Sequence, residues 1–557
     1  MANRSSVKNP SVVVIGAGMT GVLMGIKLRE AGITEVTILE KADKVGGTWR
    51  ENTYPGLACD IPAHMYTYSF QGNPEWEHRF ARGPEIQAYM EKIATDYGVT
   101  DQIRFNEAVA ACHYREGKWY LATSQGSELV ADFVIAATGI LHHPAYPDIQ
   151  GMDEFKGAMF HTARWDHGVD LKGKRVGIIG TGSTSAQVVS EIAKTVGKLT
   201  VFQRTPQWIL DIPDKKYSEA DKARLRGNQG RMDRLRERYA WLIRNTFTEA
   251  VSSGGWRHAL LSWRVKRYLR KSVRDPQLRA KLTPDYKVGC KRLIFSSTFY
   301  DAVQRPNVCL ETTGIDHISA RGVVDRDGME HELDVLVLAT GFHPFNFMRP
   351  MDLTGREGLS IDEAWSHKVQ AYRSVCLPGF PNFFLMLGPN SPVGNYSVIA
   401  MSEVQGAYVL KLIDQWRQGK LQNVEATEEA KARFNAYVKQ GMGSTAWVGG
   451  CQSWYLDGDG DPALWPYSWN QWVQEMAEPE LADFVRTEPG EPDRALPDRP
   501  ASGGVDGVVS VDRAQRRGRR DSRLEPGRDR ILRDPATGSC AAPPRAQRRQ
   551  PGSGMVR

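Results

Sequence analysis

Short apolar runs rich in β-branched residues alternate with longer helix-like stretches along this chain. The run SVVVI at residues 11–15 leads through GAGMTG into the helix-like VLMGIKLREAG, and a second apolar run, EVTILE, ends at Glu40. A second unit of the same order, KRVGIIGTGSTSAQVVSEIAKTVGKLTVFQRTP, occupies residues 174–206. Each succession predicts a β–α–β unit, so the chain is expected to be an α/β protein.

Two strand-like runs end in the same three residues, Ala-Thr-Gly. The strand-like ADFVIAATG ends at Thr138 and Gly139 after the first unit, and LDVLVLATGF at residues 333–342 repeats that ending after the second. Two copies of strand, glycine-rich turn and helix, each followed by an Ala-Thr-Gly strand end, are typical of dinucleotide-binding domains. The predicted fold is therefore a pair of Rossmann-like domains.

A different pattern fills residues 215–285. The segments SEADKARLRGNQGRMDRLRERYAWLIRNTF and WRHALLSWRVKRYLRKSV are charged, amphipathic and helix-like, so we predict a helical insertion within the second domain. Its basic faces are interpreted as solvated surface, with a membrane- or partner-facing role as the alternative. The predicted domains are 1–150 and 376–484 for the two parts of the first dinucleotide-binding domain, 151–375 for the second, and 485–557 for a tail.

The composition is that of a globular protein without a membrane span. Hydrophobic residues make up 41% and charged residues 25% of the 557 residues, which is typical of soluble domains. No apolar run reaches the roughly 18–20 residues that cross a bilayer, and the start lacks the features of a signal peptide. A cytoplasmic protein is expected.

The net charge of +7 favours nucleic-acid binding as a function, but the distribution of the charge along the chain argues against that function. Residues 487–557 hold 15 Arg and 10 Asp or Glu, a net of +5, which leaves +2 for the rest of the chain. From about residue 485 apolar periodicity vanishes, so the tail is predicted to be disordered. Its interleaved acids and its lack of aromatic residues disfavour nucleic-acid binding.

Seven cysteines are scattered without CxxC spacing, at positions 59, 112, 290, 309, 376, 451 and 540. That spacing argues against a disulfide framework and against a zinc site. The cysteines are therefore interpreted as buried free thiols, and no metal is expected.

The first glycine fingerprint is Gly16-x-Gly18-x-x-Gly21, between a strand and a helix. Such glycines permit a tight turn and a close approach of the backbone to a pyrophosphate, which then lies at the positive end of the helix. Glu40 ends the next strand, where its carboxylate can accept a hydrogen bond from a ribose hydroxyl. An unmodified ribose fits this acid, so the first site is predicted to take FAD or NAD.

The second fingerprint, Gly180-x-Gly182-x-x-Ser185, departs from the pattern at its third glycine. Its second strand is followed by Arg204, where the first unit has Glu40. A guanidinium at this position suits a 2′-phosphate, so NADPH is preferred over NADH. Two dinucleotide sites of opposite polarity imply that one cofactor reduces the other, as in an NADPH-dependent flavoprotein.

Two further motifs narrow the class. The stretch GGTWRENTYPGLACD at residues 46–60 offers a glycine pair, an aromatic face and Asp60, and FKGAMFHTARWD follows at residues 155–166. Together they resemble the fingerprints of type I Baeyer–Villiger monooxygenases. Related N- and S-oxygenating flavin monooxygenases share the FxGxxxH core but typically carry Tyr or Phe in place of Trp165-Asp166. The Baeyer–Villiger family is also resembled by four shorter motifs, FQRTP, CKR, LATGF and LGPNSP. The resemblance covers roughly residues 10–475. In the FKGAMFHTARWD motif, the positions that carry the resemblance are Phe155, Gly157, His161, Trp165 and Asp166.

The resemblance implies residue roles. Arg292 corresponds to the family's catalytic arginine and Asp60 to the carboxylate that fixes it, while Lys291, Arg204 and Thr205 would hold the 2′-phosphate of NADPH. FAD contacts would come from Thr20, Glu40, Thr48, Trp49, Asp60 and Tyr66. Further cofactor-binding positions would be Gly47, Val109, Thr181, Ser183, Thr184 and Gln187.

The resemblance also implies an activity: insertion of one oxygen atom of O₂ beside a ketone carbonyl through a C4a-peroxyflavin, giving an ester or lactone. A fixed arginine suits that chemistry because it stabilises negative charge on oxygen without donating its proton. The alternatives are N- or S-oxygenation and, from a different class, an interaction protein that uses the basic tail. The identity of the ketone and the oligomeric state stay open.

The lone His161 lies between the strand that ends at Gly139 and the strand that begins near Arg175. Taken alone, it is interpreted as a buried structural histidine. With the resemblance, its stretch is expected to be a linker between the two cofactor domains, in which His161 orders the hinge and keeps hydride transfer and oxygenation coupled. Replacement of His161 by alanine would then lower oxygenation more than FAD binding.

Overall fold

Two five-stranded parallel sheets form the framework of the chain. The computed structural model describes residues 9–252, 254–393, 396–451 and 453–486; the predicted disordered tail lies outside them, apart from its first two residues. The strands are β1 Ser11–Ile15, β2 Glu35–Leu39, β3 Ile103–Arg104, β4 Val109–Arg115, β5 Lys118–Thr123, β6 Glu128–Ala131, β7 Phe133–Ala136, β8 Ala158–His161, β9 Arg175–Ile179, β10 Lys198–Phe202, β11 Ile209–Leu210, β12 Ile294–Phe295, β13 Val308–Glu311, β14 Ile315–Ser319, β15 Gly322–Asp325, β16 Glu330–Glu332, β17 Val335–Leu338, β18 Asp352–Thr354 and β19 Phe383–Leu385.

Helices cover both sheets and fill most of the insertion. They are α1 Met19–Glu30, α2 Thr48–Glu51, α3 Gly83–Asp96, α4 Ser183–Ile192, α5 Glu219–Ala223, α6 Gln229–Ile243, α7 Glu249–Ser252, α8 Gly255–Ser272, α9 Pro276–Lys281, α10 Phe299–Val303, α11 Ile361–Ala364, α12 Val398–Arg417, α13 Glu428–Gln440 and α14 Trp469–Glu475. Single 3₁₀ turns lie at Thr100–Gln102, Thr162–Arg164, Arg356–Gly358, Gly441–Ser444, Ala446–Val448 and Leu481–Asp483.

The first sheet has the order β19-β7-β1-β2-β3. Its central β1 is a β-branched run with Val12 and Val14 fully buried, as expected for a strand covered on both faces. β19 pairs in parallel with β7, so the chain returns to the first sheet late in the sequence. The predicted α/β class with two Rossmann-like units is confirmed. The boundaries at residues 150, 375 and 484 stay predictions.

The second sheet has the order β13-β10-β9-β17-β8 and is also parallel. In both sheets the fingerprint turn follows the central strand at its carboxyl end, where ligands bind in open α/β folds. Three smaller sheets complete the described part of the chain: the antiparallel β14-β15-β16, the two-stranded parallel β11-β12, and a sheet in which β18 pairs in parallel with β4 of the antiparallel β4-β5-β6.

The insertion at residues 215–285 is helical, as the sequence pattern predicts. α6 continues through a π-helical turn, Arg244–Thr248, into α7, and α8 follows as the longest helix of the insertion. On α8 only Val265 and Leu269 are fully buried. Among the described residues, no helix is long and apolar enough to cross a membrane.

The interpretation of the cysteines as free thiols is confirmed for Cys59, Cys112 and Cys376 and wrong for Cys290, Cys309 and Cys451, which are disulfide-bonded. Cys540 lies outside the described residues. Cys59, Cys112 and Cys376 are buried and free, whereas Cys290 and Cys451 form a disulfide. These two are 161 residues apart in sequence, and the Lys287 amide donates to the Gly449 carbonyl beside them. Spacing cannot reveal this pair, because only the packing of two distant segments brings it together.

Candidate active site

The first fingerprint forms a turn that only glycine tolerates. Gly16 has a φ of +101°, and a Cβ on Gly21 would lie 1.8 Å from the Gly16 carbonyl oxygen. α1 begins directly after Gly18, and no described side chain caps it, so its first N–H groups stay available for an anion. The Glu40 carboxylate receives the Ala17 N–H at 2.7 Å. This arrangement fits the pyrophosphate and ribose of a dinucleotide.

A second loop faces this turn closely. Gly47 has a φ of +49°, and a Cβ there would lie 3.1 Å from the Gly18 Cα. α2 then begins at Thr48, and the Trp49 indole N–H donates to the Tyr66 hydroxyl at 3.1 Å. The Gly47 loop therefore lies against the first fingerprint turn, and the glycines on both sides permit the close backbone approach that a bound dinucleotide needs. Trp49 and Tyr66 contact each other, and their contact with FAD stays a prediction.

Two other predicted FAD positions are Thr20, within the first fingerprint on α1, and Val109, at the start of β4. The Thr20 hydroxyl is 2.8 Å from that of Ser402 on α12, which connects the fingerprint helix to the late part of the first domain. Val109 begins β4 in the antiparallel sheet, close in sequence to Glu107, whose N–H donates to the Glu40 carbonyl. No described contact joins Val109 to another predicted site residue.

The second fingerprint repeats the turn with one substitution. Gly180 has a φ of +111°, and a Cβ there would lie 2.4 Å from the Ala339 carbonyl oxygen. Ser185 replaces the third glycine; it is fully buried, and its hydroxyl has no hydrogen-bond partner in the part of the chain that the structure describes. α4 begins at Ser183, again without a side-chain cap in the described chain. The Thr181 hydroxyl donates to the Thr205 carbonyl at 2.7 Å.

Two cations lie at the end of this second unit. Burial lowers the pKa of the Lys291 ammonium, and the positive charge of nearby Arg204 lowers it further. Two like charges held near each other favour a multiply charged anion between them. Arg204 and Lys291 therefore lie near each other in the structure. Their binding of the 2′-phosphate of NADPH, together with Thr205, stays a prediction.

The two dinucleotide sites adjoin through α4. The Tyr54 hydroxyl donates to the Gln187 side-chain oxygen at 3.1 Å, and the Gln187 amide donates to the Ala58 carbonyl at 2.9 Å. A Cβ on Gly56 would lie 2.8 Å from the Gln187 carbonyl oxygen. Burial raises the pKa of Tyr54 to about 12. A hydrogen bond with Thr184 lowers the pKa in part, and the charge of Asp60 raises it further. The loop of the first site therefore packs directly on the fingerprint helix of the second.

Arg292 and Asp60 form a two-point ion pair where these loops meet. The Arg292 Nη2 and Nε atoms donate to Asp60 Oδ2 at 2.6 and 3.1 Å. Burial opposes the charge of Arg292, but the charge and hydrogen bond of Asp60, together with the nearby Tyr455 and Cys59, outweigh burial and raise the pKa of the guanidinium. The two side chains keep 31% and 24% of their surface exposed. The cation is thus oriented, permanently charged and still accessible to a reactant.

Tyr455 is a neighbour of this pair that sequence reasoning did not single out. It is buried, and burial raises its pKa to about 12, with the Asp60 charge raising it and the Arg292 charge lowering it. The Cys290–Cys451 disulfide lies two residues before Arg292 and four before Tyr455. It covalently joins the segments that carry these two side chains. The sequence signal that could point to Tyr455 is the cluster of aromatic residues around it, but a packed core accounts for that cluster equally well.

The side chains of the FKGAMFHTARWD motif, residues 155–166, make structural contacts. A Cβ on Gly157 would lie 2.5 Å from the Asp334 carbonyl oxygen and from the Phe155 ring, so close packing requires glycine there. Trp165 meets Phe160 edge-on at 5.0 Å, and Asp166 Oδ1 receives the Gly168 N–H at 2.8 Å. Each side chain orders its own segment.

His161 lies on β8, with Leu338 of β17 as its register partner. The prediction of a linker is therefore wrong for residues 158–161, which form the edge strand of the second sheet. The physical reason is that AMFH is a short apolar run that can pair with β17. His161 is buried, its Nδ1 receives the Ala163 N–H at 3.1 Å, and its ring faces Tyr146 and Phe342. Its role in coupling stays a prediction.

Burial lowers the pKa of His161 to about 4, which predicts acid-sensitive stability. An unfolded-chain histidine takes up its proton near pH 6.5, whereas the folded protein resists protonation until about pH 4. The stability that the neutral ring contributes is therefore complete above about pH 6.5 and is lost as pH falls toward 4. We expect the melting temperature of wild type to fall across this window and that of His161→Asn, which keeps an acceptor but does not titrate, to fall less.

The control for this measurement is His367→Asn at an exposed position, which should retain the full wild-type slope. Burial also lowers the pKa values of His64 and His142 to about 4, so His161→Asn should reduce the dependence without abolishing it. An unchanged slope in His161→Asn would contradict the assignment of a buried neutral ring.

Two adjoining dinucleotide sites with an oriented cation between them define the class as a two-cofactor oxidoreductase. In agreement, residues 13–222 match the pyridine nucleotide-disulphide oxidoreductase family. An uncharacterised monooxygenase of Mycobacterium tuberculosis is 48% identical over 459 residues, 82% of this chain and 92% of that protein. A Baeyer–Villiger monooxygenase of Streptomyces coelicolor is 38% identical over 509 residues, 90% of this chain and 98% of that one.

A solved structure agrees with these relatives. The crystal structure of OTEMO in complex with FAD and NADP has a TM-score of 0.75 and 27% identity, covering 84% of this chain and 98% of that one. The chain belongs to the Baeyer–Villiger monooxygenases. The predicted family and the prediction of a monooxygenase are both confirmed.

Proposed function

We propose that the site around Arg292 inserts one oxygen atom of O₂ beside the carbonyl of a small-molecule ketone and yields an ester or a lactone. The enzyme is FAD- and NADPH-dependent, in accord with its family and with the FAD and NADP in the OTEMO complex. The observation that carries the residue assignment is the Arg292–Asp60 ion pair, which lies where the two dinucleotide loops meet.

Each group has a defined task in this proposal. FAD, once reduced by NADPH, supplies the activated oxygen. The turn at Gly16, Gly18 and Gly21 and the Gly47 loop hold FAD, and Glu40 orients its ribose. Gly180, Gly182 and the start of α4 hold NADPH, with Arg204, Thr205 and Lys291 on its 2′-phosphate. Gln187 and Tyr54 connect the two loops, so these residues would keep the FAD-binding and NADPH-binding loops in a fixed relation.

Arg292 supplies electrostatic stabilisation. Attack of an oxygen nucleophile on a ketone places negative charge on oxygen, and a fixed guanidinium stabilises it without protonating the nucleophile. Asp60 holds the guanidinium at two points, so little reorganisation is needed during the reaction. The partly buried setting strengthens the interaction relative to water.

NADPH consumption on a panel of linear, cyclic and aryl ketones, with product identification, tests the activity. We expect ester or lactone in near-stoichiometric ratio to NADPH for at least one ketone class. Amines and sulfides serve as the comparison panel. Exclusive formation of N- or S-oxides would overturn the proposed reaction while leaving the cofactor sites in place.

Selectivity for NADPH over NADH is expected to depend on the two cations at the second site. Arg204→Ala with Lys291→Ala should raise KM for NADPH by roughly tenfold or more and leave KM for NADH nearly unchanged, because only NADPH carries the phosphate that these cations bind. The matched control is Lys194→Ala, an exposed cation just after α4. An equal loss with both nucleotides would contradict the assignment.

A further inference from the structure

An exposed face of α8 carries three large apolar side chains. Trp256, Leu260 and Trp263 are 70%, 54% and 55% exposed. Their spacing of four and three residues aligns them along one side of the helix. Val265 and Leu269 are buried on the opposite side and attach the helix to the second domain. The exposed stripe is thus additional to the face that the fold needs.

The same helix is strongly cationic. α8 contains six Lys or Arg and no Asp or Glu, in a chain whose net charge outside the tail is only +2. Among the described residues, no carboxylate lies within 4.0 Å of these six cations. Arg257 and Arg267 lie over the rings of Trp256 and Trp263 at 5.0 and 5.6 Å. The cations are Arg257, Arg264, Lys266, Arg267, Arg270 and Lys271.

We propose that this face of α8 docks the enzyme onto the surface of an anionic lipid bilayer. Tryptophan and leucine beside arginine and lysine match the two layers of a membrane interface, with the rings at the headgroup level and the cations on lipid phosphates. The helix lies in the plane of the interface rather than across it, because its opposite side is packed on the protein. Arg267, Arg270 and Lys271 extend the exposed face beyond the apolar stripe.

Charge argues against other occupants. The tail at 487–557 has a net charge of +5 and would be repelled by this helix. A second copy would bring two strongly cationic faces together, which disfavours a symmetric contact. A nucleic acid would satisfy the charges, but it would leave Leu260 without an apolar environment.

Co-sedimentation of the full-length holoenzyme with vesicles tests the proposal. We expect binding to vesicles of phosphatidylcholine mixed with phosphatidylglycerol, little binding to phosphatidylcholine alone, and loss of binding at high salt. The variant Trp256→Ser/Leu260→Ser/Trp263→Ser should lower the binding constant by about tenfold or more. Arg267→Glu/Arg270→Glu/Lys271→Glu should do the same.

The matched control reverses three exposed lysines elsewhere, Lys172→Glu/Lys194→Glu/Lys420→Glu, and should keep vesicle binding because the net charge change is equal but the α8 face is intact. Flavin content and NADPH oxidation of each variant show that it is folded. Vesicle binding that survives both α8 variants, or falls equally in the control, overturns the proposal. So does a change in oligomeric state or in duplex DNA binding without a change in vesicle binding.

Discussion

Replacement of Arg292 by alanine is expected to lower the rate of ester formation by about 10²–10³-fold while FAD stays bound. The side chain lies where both dinucleotide loops meet, and its charge is fixed by two hydrogen bonds to Asp60. Without it, negative charge that develops on oxygen loses its partner, and Asp60 is left as an uncompensated, partly buried carboxylate. NADPH oxidation should therefore yield hydrogen peroxide instead of ester.

The measurement is the ratio of ester formed to NADPH consumed, with flavin absorbance per chain as the check on cofactor binding. Arg292→Lys should recover little, because a lysine cannot reproduce the two-point contact with Asp60. The matched control is Arg175→Ala, which removes an arginine paired with Asp334 in the second sheet and should keep the wild-type ratio. A wild-type ratio in Arg292→Ala would show that another group stabilises the oxygen charge.

Replacement of Gly21 by alanine is expected to yield protein almost without FAD. The added Cβ would lie 1.8 Å from the Gly16 carbonyl oxygen and 2.9 Å from its carbon, both of them backbone atoms that no side-chain rotation can move. The turn must open, so α1 loses the position from which its N–H groups face the pyrophosphate. Flavin absorbance per chain and the oxygenation rate should both be lost.

Gly182→Ala is the internal control, because no described atom lies within 4 Å of a Cβ at that position. Gly182 directly precedes α4, the fingerprint helix of the other site. This variant should retain FAD at the wild-type ratio. Circular dichroism of both variants separates loss of cofactor from loss of fold. Full FAD occupancy in Gly21→Ala would contradict the placement of FAD at the first fingerprint.

The sequence predicted those parts of the site that depend on local pattern. The turns at Gly16 and Gly180 require a left-handed backbone conformation within a few residues of a strand, and that requirement is visible as glycine spacing. Arg204 could be predicted for the same reason, since the end of the second strand in a β–α–β unit has a fixed relation to the glycine turn.

Other parts depend on packing between distant segments. Tyr455 approaches Arg292, and Cys451 meets Cys290, only because the segment with Trp447 and Cys451 packs on the loop before Arg292. The local sequence predicts that His161 lies in a linker, whereas the pairing of β8 with the distant β17 places it in a strand. On α8, both sides contain apolar residues, so periodicity alone could not show that Val265 is buried while Trp263 is exposed.

The most direct test of the central claim is mass spectrometry of the product formed from an accepted ketone with NADPH under ¹⁸O₂. The proposed function predicts an ester or lactone that carries one ¹⁸O, in the ring or ester oxygen, with an unlabelled carbonyl and with yield that depends on Arg292. An unlabelled product, or label found only in hydrogen peroxide or in N- or S-oxides, would contradict it.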